Sequence, residues 1–233
     1  MPTVLHLNAN STTGNATSYQ TTSFSPLAND LLVTFIQASG TVAAADKLLS
    51  SGQALTFTKI TSSLHNASAN TLYAYVANQL ASTVAMNLTF TCTDDAATGS
   101  NMVTAGVAGM TLTGLAAILQ QPTAANQTTA VTPAITYPVS VSSNNPTVLC
   151  IANLTNPATL GPPASWGELA DVGYATPASG LEYVSRNNTF NGTLVTWSSA
   201  SASAWGGIGL ELNGSTGSAS YAISAIRLPA LGV

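Results

Sequence analysis

The chain has 233 residues, and 45% of them are hydrophobic, which supports a packed core and argues against disorder. Only 5% are charged, four basic against eight acidic residues, for a net charge of −4. Lys47, Lys59, Arg186 and Arg227 are too few and too scattered to displace counterions from phosphate or to hold an anionic bilayer, so neither nucleic acid nor membrane is expected as a partner.

In chain order, residues 4–8 read as one short strand, and the chain is polar from there to Gln20. This start lacks a basic n-region and an apolar h-region, so no export signal is expected. Residues 31–38 (LLVTFIQA) are apolar on both faces, as in a central buried strand. Residues 42–49 (VAAADKLL) fit a short helix. Residues 55–60 (LTFTKI) alternate, and residues 71–77 (TLYAYVA) place Tyr73 and Tyr75 on one face with Leu72, Ala74 and Val76 on the other. The cleanest strand is 84–92, where Val84, Met86, Leu88, Phe90 and Cys92 alternate with smaller or polar residues. Asp94 and Asp95 follow in a turn that lacks the alternating ligands of a calcium loop. Residues 102–119 are uncharged but rich in Gly and Thr and without basic flanks, so they read as a buried strand and loop and not as a membrane span. Strand-like runs then recur at 144–151, 165–169, 183–185, 194–197 and 206–212, and a last one at 221–228 needs an edge to pair with, in its own sheet or in a neighbouring subunit.

The two halves echo one another. GVAGMTL (106–112) is answered by GGIGLEL (206–212), TFTC (89–92) by LVTW (194–197), YVA (75–77) by YVS (183–185), TFTKI (56–60) by SWGEL (165–169), and ANDLLVTFI (28–36) by NNPTVLCI (144–151). The expected fold is all-β, a jelly-roll-like β-sandwich built from two similar half-sheets. The quasi-repeats span about 20–113 and 132–213 of a domain at 1–213, and a C-terminal extension with a short strand occupies 214–233. The join at 114–132 carries an apolar patch at 115–119, which favours one sandwich over two in tandem. Thr111 and Glu211, matched by the echo, are both expected to face outward.

Chemistry is sparse. His6 and His65 stand without a neighbouring acid or second ligand and read as surface or edge residues. None of the eight acids is marked as a pair, and the nucleophile elbow, the S-x-x-K pattern, the P-loop and the dinucleotide fingerprint are all missing. No catalytic residue, metal or cofactor is therefore expected, and the chain does not read as an enzyme. Cys92 and Cys150 read as buried thiols, with a bridge between neighbouring strands as the alternative. Trp166, Trp197 and Trp205 lie in strand-like runs and read as core. Tyr73 and Tyr75 are the candidate glycan contact, should their face be exposed. Nine N-x-S/T sequons follow from the Asn/Ser/Thr-rich composition and are read as incidental.

The ordered phrases SPLANDLLVTFIQASG, LTFTKI, TLYAYVA, MNLTFTC and TAGVAGMTL, followed by NNPTVLCIAN, SWGELADVG, GLEYVSR, GTLVTWS and AWGGIGLEL, resemble β-sandwich structural proteins on the virions of tailed bacteriophages, over about residues 20–212. The resemblance implies a virion role, foremost a capsid decoration (cement) protein that stabilises the head. It also implies the major capsid protein or other virion proteins as partners, a homo-trimer, and location on the capsid surface or a fibre. The alternative it leaves open is a receptor- or glycan-binding module of a tail or head fibre. Tyr221, Ile223, Ile226 and Leu228 are then the candidate intersubunit contacts, by strand addition.

Overall fold

The computed structural model describes residues 1–39, 46–92, 97–129, 131–158 and 160–214. The fold is an all-β sandwich of antiparallel sheets. The first half contributes β1 (Thr3–Ala16), β2 (Ser18–Gln20), β3 (Leu31–Ser39), β4 (Lys47–Ser51), β5 (Phe57–His65), β6 (Asn70–Ala77), β7 (Asn87–Thr91) and β8 (Ala97–Ala108). A single 3₁₀ turn at Gly114–Ala117 leads into β9 (Ile118–Gln120) and β10 (Thr123–Asn126). The second half continues with β11 (Ala134–Thr136), β12 (Thr147–Asn153), β13 (Gly167–Ala175), β14 (Ala178–Arg186), β15 (Leu194–Thr196) and β16 (Trp205–Leu212).

The two main sheets run β1-β8-β3-β6-β5 and β10-β16-β12-β14-β13, with β9 also on β16. Strand for strand, the second order repeats the first. Each main sheet carries a smaller sheet on its outer face, β2-β7-β4 on the first and β11-β15 on the second. Four layers therefore enclose three apolar cores. The central core lies between the main sheets and takes Leu31, Val33, Phe35, Leu72 and Val103 from the first half and Val148, Cys150, Leu181, Tyr183 and Ile208 from the second. Alternation drives this: on β3 the odd positions face the central core, and Leu32 and Ile36 face the outer one. The burial of β6 and β12 throughout, and of β3 from Leu31 to Ala38, is what doubly covered strands require.

At one end the central core turns polar. The Gln37 side-chain amide donates to the Asn153 carbonyl at 3.0 Å. Asn101 donates to Gln37 Oε1 at 3.0 Å and to Ser179 Oγ at 3.1 Å, and Ser11 Oγ donates to Asn101 Oδ1 at 2.7 Å. A network of this kind tolerates one register between the sheets, because any slip would leave buried amides unpaired.

The shared ladder registers define which residues correspond. β5 and β13 each carry a bulge against their neighbour, between Lys59 and Thr61 and between Glu168 and Ala170, so Ile60 and Leu169 are the same extra residue in the two halves. TFTKI over SWGEL is thus in register. So is TFTC over LVTW, since Phe90 and Val195 both point inward to their own outer core. The tyrosine match is not: Tyr75 faces an outer core and Tyr183 the central one, and Tyr183 takes the place of Ala74. The glycine match fails as well. Gly109 has a φ of +75° and ends the first closing strand, whereas Gly209 lies inside β16, where a Cβ would come within 2.7 Å of Tyr137 Oη. Thr111 is exposed as expected, but Glu211 is buried and accepts from Asn145 Nδ2 at 2.6 Å, from the Ser142 amide at 2.9 Å and from Gln120.

Two local expectations change. The polar N-terminal stretch is strand for fourteen residues, because β1 is an edge whose outward side chains meet solvent while its backbone pairs with β8 from Thr3 to Ala16. The expected helix at 42–49 is not formed over 47–49. That part is β4, with Lys47 and Leu49 outward and Leu48 in the outer core. Residues 42–45 lie outside the described residues.

Candidate functional site

The tyrosine pair of β6 is a structural post. Tyr73 and Tyr75 are only 2% and 1% exposed beneath β4 and β7, with ring centroids 5.1 and 6.4 Å from Phe90. Tyr73 O–H donates to Asp46 Oδ2 at 2.7 Å, and Tyr75 O–H donates to the Asp46 carbonyl at 3.2 Å. Burial raises both phenol pKa values well above the ordinary range, with the Asp46 carboxylate adding to it. The proposed glycan contact at these two residues is corrected: the outer face of this sheet is covered by a second sheet, and no sugar ring reaches them. The three tryptophans are buried, as expected of core residues. Cys92 and Cys150 are free thiols in different cores. The proposed contacts Tyr221, Ile223, Ile226 and Leu228, and the Asp94–Asp95 turn, lie outside the described residues.

His65 departs from the surface reading. It is fully buried at the end of β5, against Gly206, where a Cβ would stand 2.7 Å from His65 Nδ1. Burial lowers its pKa to about 4, so the ring is neutral at physiological pH. His6 is exposed on the edge strand β1.

The strongest buried electrostatic feature is Glu182 on β14, which composition gave no reason to single out. It is 0% exposed on the outer face of the second main sheet, beneath β15. Its Oε1 accepts from Trp197 Nε1 at 2.9 Å, and its Oε2 is buried without a partner. Burial first, then the nearby Glu168 and Asp171 carboxylates, raise its pKa to about 8 against the opposing Trp197 hydrogen bond. At neutral pH it is a protonated acid. β14 is covered on both faces, which leaves Glu182 no exit to solvent.

The described surface also holds a cleft of about 460 Å³ at the end of the second main sheet. Gly167 and Leu169 from the start of β13, Ser185 and Arg186 from the end of β14, Asn187 just beyond, and Val4 of β1 form its walls. The Val4 amide donates to Asn187 Oδ1 at 2.8 Å and ties the two main sheets together there. The Arg186 guanidinium is held in place, with Nε on the Asn188 carbonyl at 3.2 Å, Nη2 on Thr189 Oγ1 at 3.0 Å, and its carbon 6.0 Å from the Phe190 ring centroid. The walls are thus hydroxyls, amides and one guanidinium beside a short apolar floor.

Among the described residues, no group of three or more His, Cys, Asp and Glu side chains is placed to hold a metal ion. No described helix is long and apolar enough to cross a membrane. Comparison with known proteins gave no matching family model, no matching curated protein and no matching solved structure.

Proposed function

We propose that the chain is a non-enzymatic structural protein of a bacteriophage virion, a capsid decoration (cement) protein that sits as a homo-trimer on the major capsid protein and stabilises the head. The observation that carries this reading is the neutrality of the surface. Of the acids Asp30, Asp46, Glu168, Asp171, Glu182 and Glu211, four are buried: Asp30, Asp46, Glu182 and Glu211. What is left outside is mostly Ser, Thr, Asn and Gln, with large apolar side chains exposed at Leu27, Val84, Leu115, Leu119, Val139 and Leu194. A protein with so little charge repels its neighbours weakly, which favours a fixed place in an assembly over life as a free monomer. Cementing needs area and shape complementarity across subunit seams and no catalytic constellation. The order of strand phrases that resembles virion β-sandwich proteins supports the same reading.

The test is the composition of purified source particles by mass spectrometry, paired with electron microscopy. Decoration predicts many copies, all on the head. A few copies confined to the tail would shift the assignment to a recognition module, and absence from the particles would overturn both.

A further inference from the structure

Residues 66–69 (NASA) join β5 to β6 without a glycine. Asn66, Ala67 and Ser68 nevertheless hold φ values of +54°, +51° and +67° in succession. Asn tolerates this left-handed region, but in Ala67 and Ser68 the Cβ crowds the following carbonyl, so the turn is strained. It is closed from within by the Ala69 amide on the Asn66 carbonyl at 2.9 Å and by Asn66 Nδ2 on Asn70 Oδ1 at 2.8 Å. The second half clips it from outside. The Ala67 amide donates to Oε1 of Gln127, just beyond β10, at 2.5 Å, and Ser63 Oγ donates to the Ala124 carbonyl of β10 at 2.8 Å. This is the edge of the sandwich where β5 meets β10 and β16.

His65 sits at the foot of this turn. Its side chain shares a face of β5 with that of Ser63, and both press on Gly206, where a Cβ would stand 2.7 Å from His65 Nδ1 and 3.2 Å from Ser63 Oγ. Neither ring nitrogen has a hydrogen-bond partner. The burial penalty on the charged ring outweighs the opposing pull of the Ser63 backbone. The elements packed against β5 supply no anion. On β6 the titratable groups are Tyr73 and Tyr75, which face the outer core, and β4 carries Lys47, which points outward. Lys59 of β5 itself lies over the Tyr73 ring. Glu211 is on the opposite face of β16 from Gly206, held by Asn145, Ser142 and Gln120. β10 and the 3₁₀ turn carry no titratable side chain. Among the described residues, no carboxylate therefore faces the ring.

We infer that the 65–70 hairpin is an acid-released latch: a proton taken up by His65 frees the tip of β5 from Gly206 and β10 and opens this edge of the sandwich while the rest stays folded. Protonation places a charge and a second donor where the closed site offers neither anion nor acceptor. Opening brings the imidazolium to water and lets Ala67 and Ser68 leave the left-handed region. The closed hairpin takes up its proton at about pH 4, and an open one near the ordinary value of 6.5. Between these limits the closed form binds fewer protons. It is therefore favoured above the window and lost as pH falls through it, the opening constant rising by up to about tenfold per pH unit. Glu182 keeps its cover in the locally open form, so its own titration does not enter.

Hydrogen exchange on the full-length protein, corrected for the intrinsic effect of pH on amide exchange, tests this. The latch predicts that protection at 61–65 and 124–126 falls by about tenfold or more between pH 6.5 and about 4.5, while β3 and β12 keep theirs. In His65→Leu the same amides should show no such fall. Proton NMR of the His6→Gln chain leaves the latch untouched, and the remaining imidazole should titrate below about pH 5. An imidazole that titrates near 6.5, wild-type protection at 61–65 that does not change over this range, or an equal fall in His65→Leu would overturn the inference. So would a fall shared by β3 and β12, because the whole fold and not the hairpin would then be opening.

Discussion

The two halves use one strand order but distribute bulk in opposite ways. In the first half Phe35 is large and its ladder partner Ala74 small. In the second half the corresponding pair is Cys150 and Tyr183, small and large. Phe35 and Tyr183 then meet across the central core with centroids 5.2 Å apart. The outer cores show the same exchange. Tyr73 of the first half stands where Glu182 stands in the second, and Cys92 where Trp197 stands, so a large residue beside a thiol becomes a carboxyl beside an indole. The small ladder partners, Ala74 and Cys150, leave room in the central core for the two large rings to meet.

The largest effect is expected where the halves touch. Tyr183→Ala should cost about 3–5 kcal/mol in urea unfolding, through lost burial and an unfilled cavity. Phe35→Ala should cost a similar amount, and the double variant should cost less than the sum because the two share a contact. Additive losses would break the claim that one half packs on the other at this point.

The next effect separates the two outer cores. Glu182 holds its proton to about pH 8 when folded, and an unfolded glutamate releases it near its ordinary value of 4.5. The unfolded state therefore binds fewer protons between these limits, and stability falls as pH rises through that window, by about 2–4 kcal/mol. Glu182→Gln should flatten the profile between pH 4.5 and 8, as read by chemical denaturation across that range. A variant with an unchanged slope would place the titration elsewhere. The smallest effect is in the first half, where Tyr73→Phe should cost about 1–2 kcal/mol for the lost hydrogen bond to Asp46, with little change in the pH profile. A thermal or urea midpoint equal to that of the wild type would show the bond to be replaceable.

Strand identity was legible because alternation is local. The alternation within 84–92 needed no knowledge of partners, although the strand forms only over Asn87–Thr91 and Val84 is exposed, and neither did the double-sided burial of 31–38. Register was less legible, since it depends on which face looks inward. YVA and YVS share letters, yet complementary packing puts Tyr75 outward and Tyr183 inward, and only the matched bulges at Ile60 and Leu169 fix the true correspondence. Burial of polar residues was the least legible. Nothing local distinguishes His65, Glu182 and Glu211 from surface residues, because their cover comes from strands far away in sequence. The covering sheet β2-β7-β4 is also why two tyrosines that looked available for a ligand are core.

The central structural claim is that two similar half-sheets share one core and stand or fall together. Scanning calorimetry of the full-length chain tests it most directly. The account predicts one transition whose calorimetric and van't Hoff enthalpies agree, lowered as a whole by Tyr183→Ala. Two separate transitions, with Tyr183→Ala moving only one of them, would contradict it.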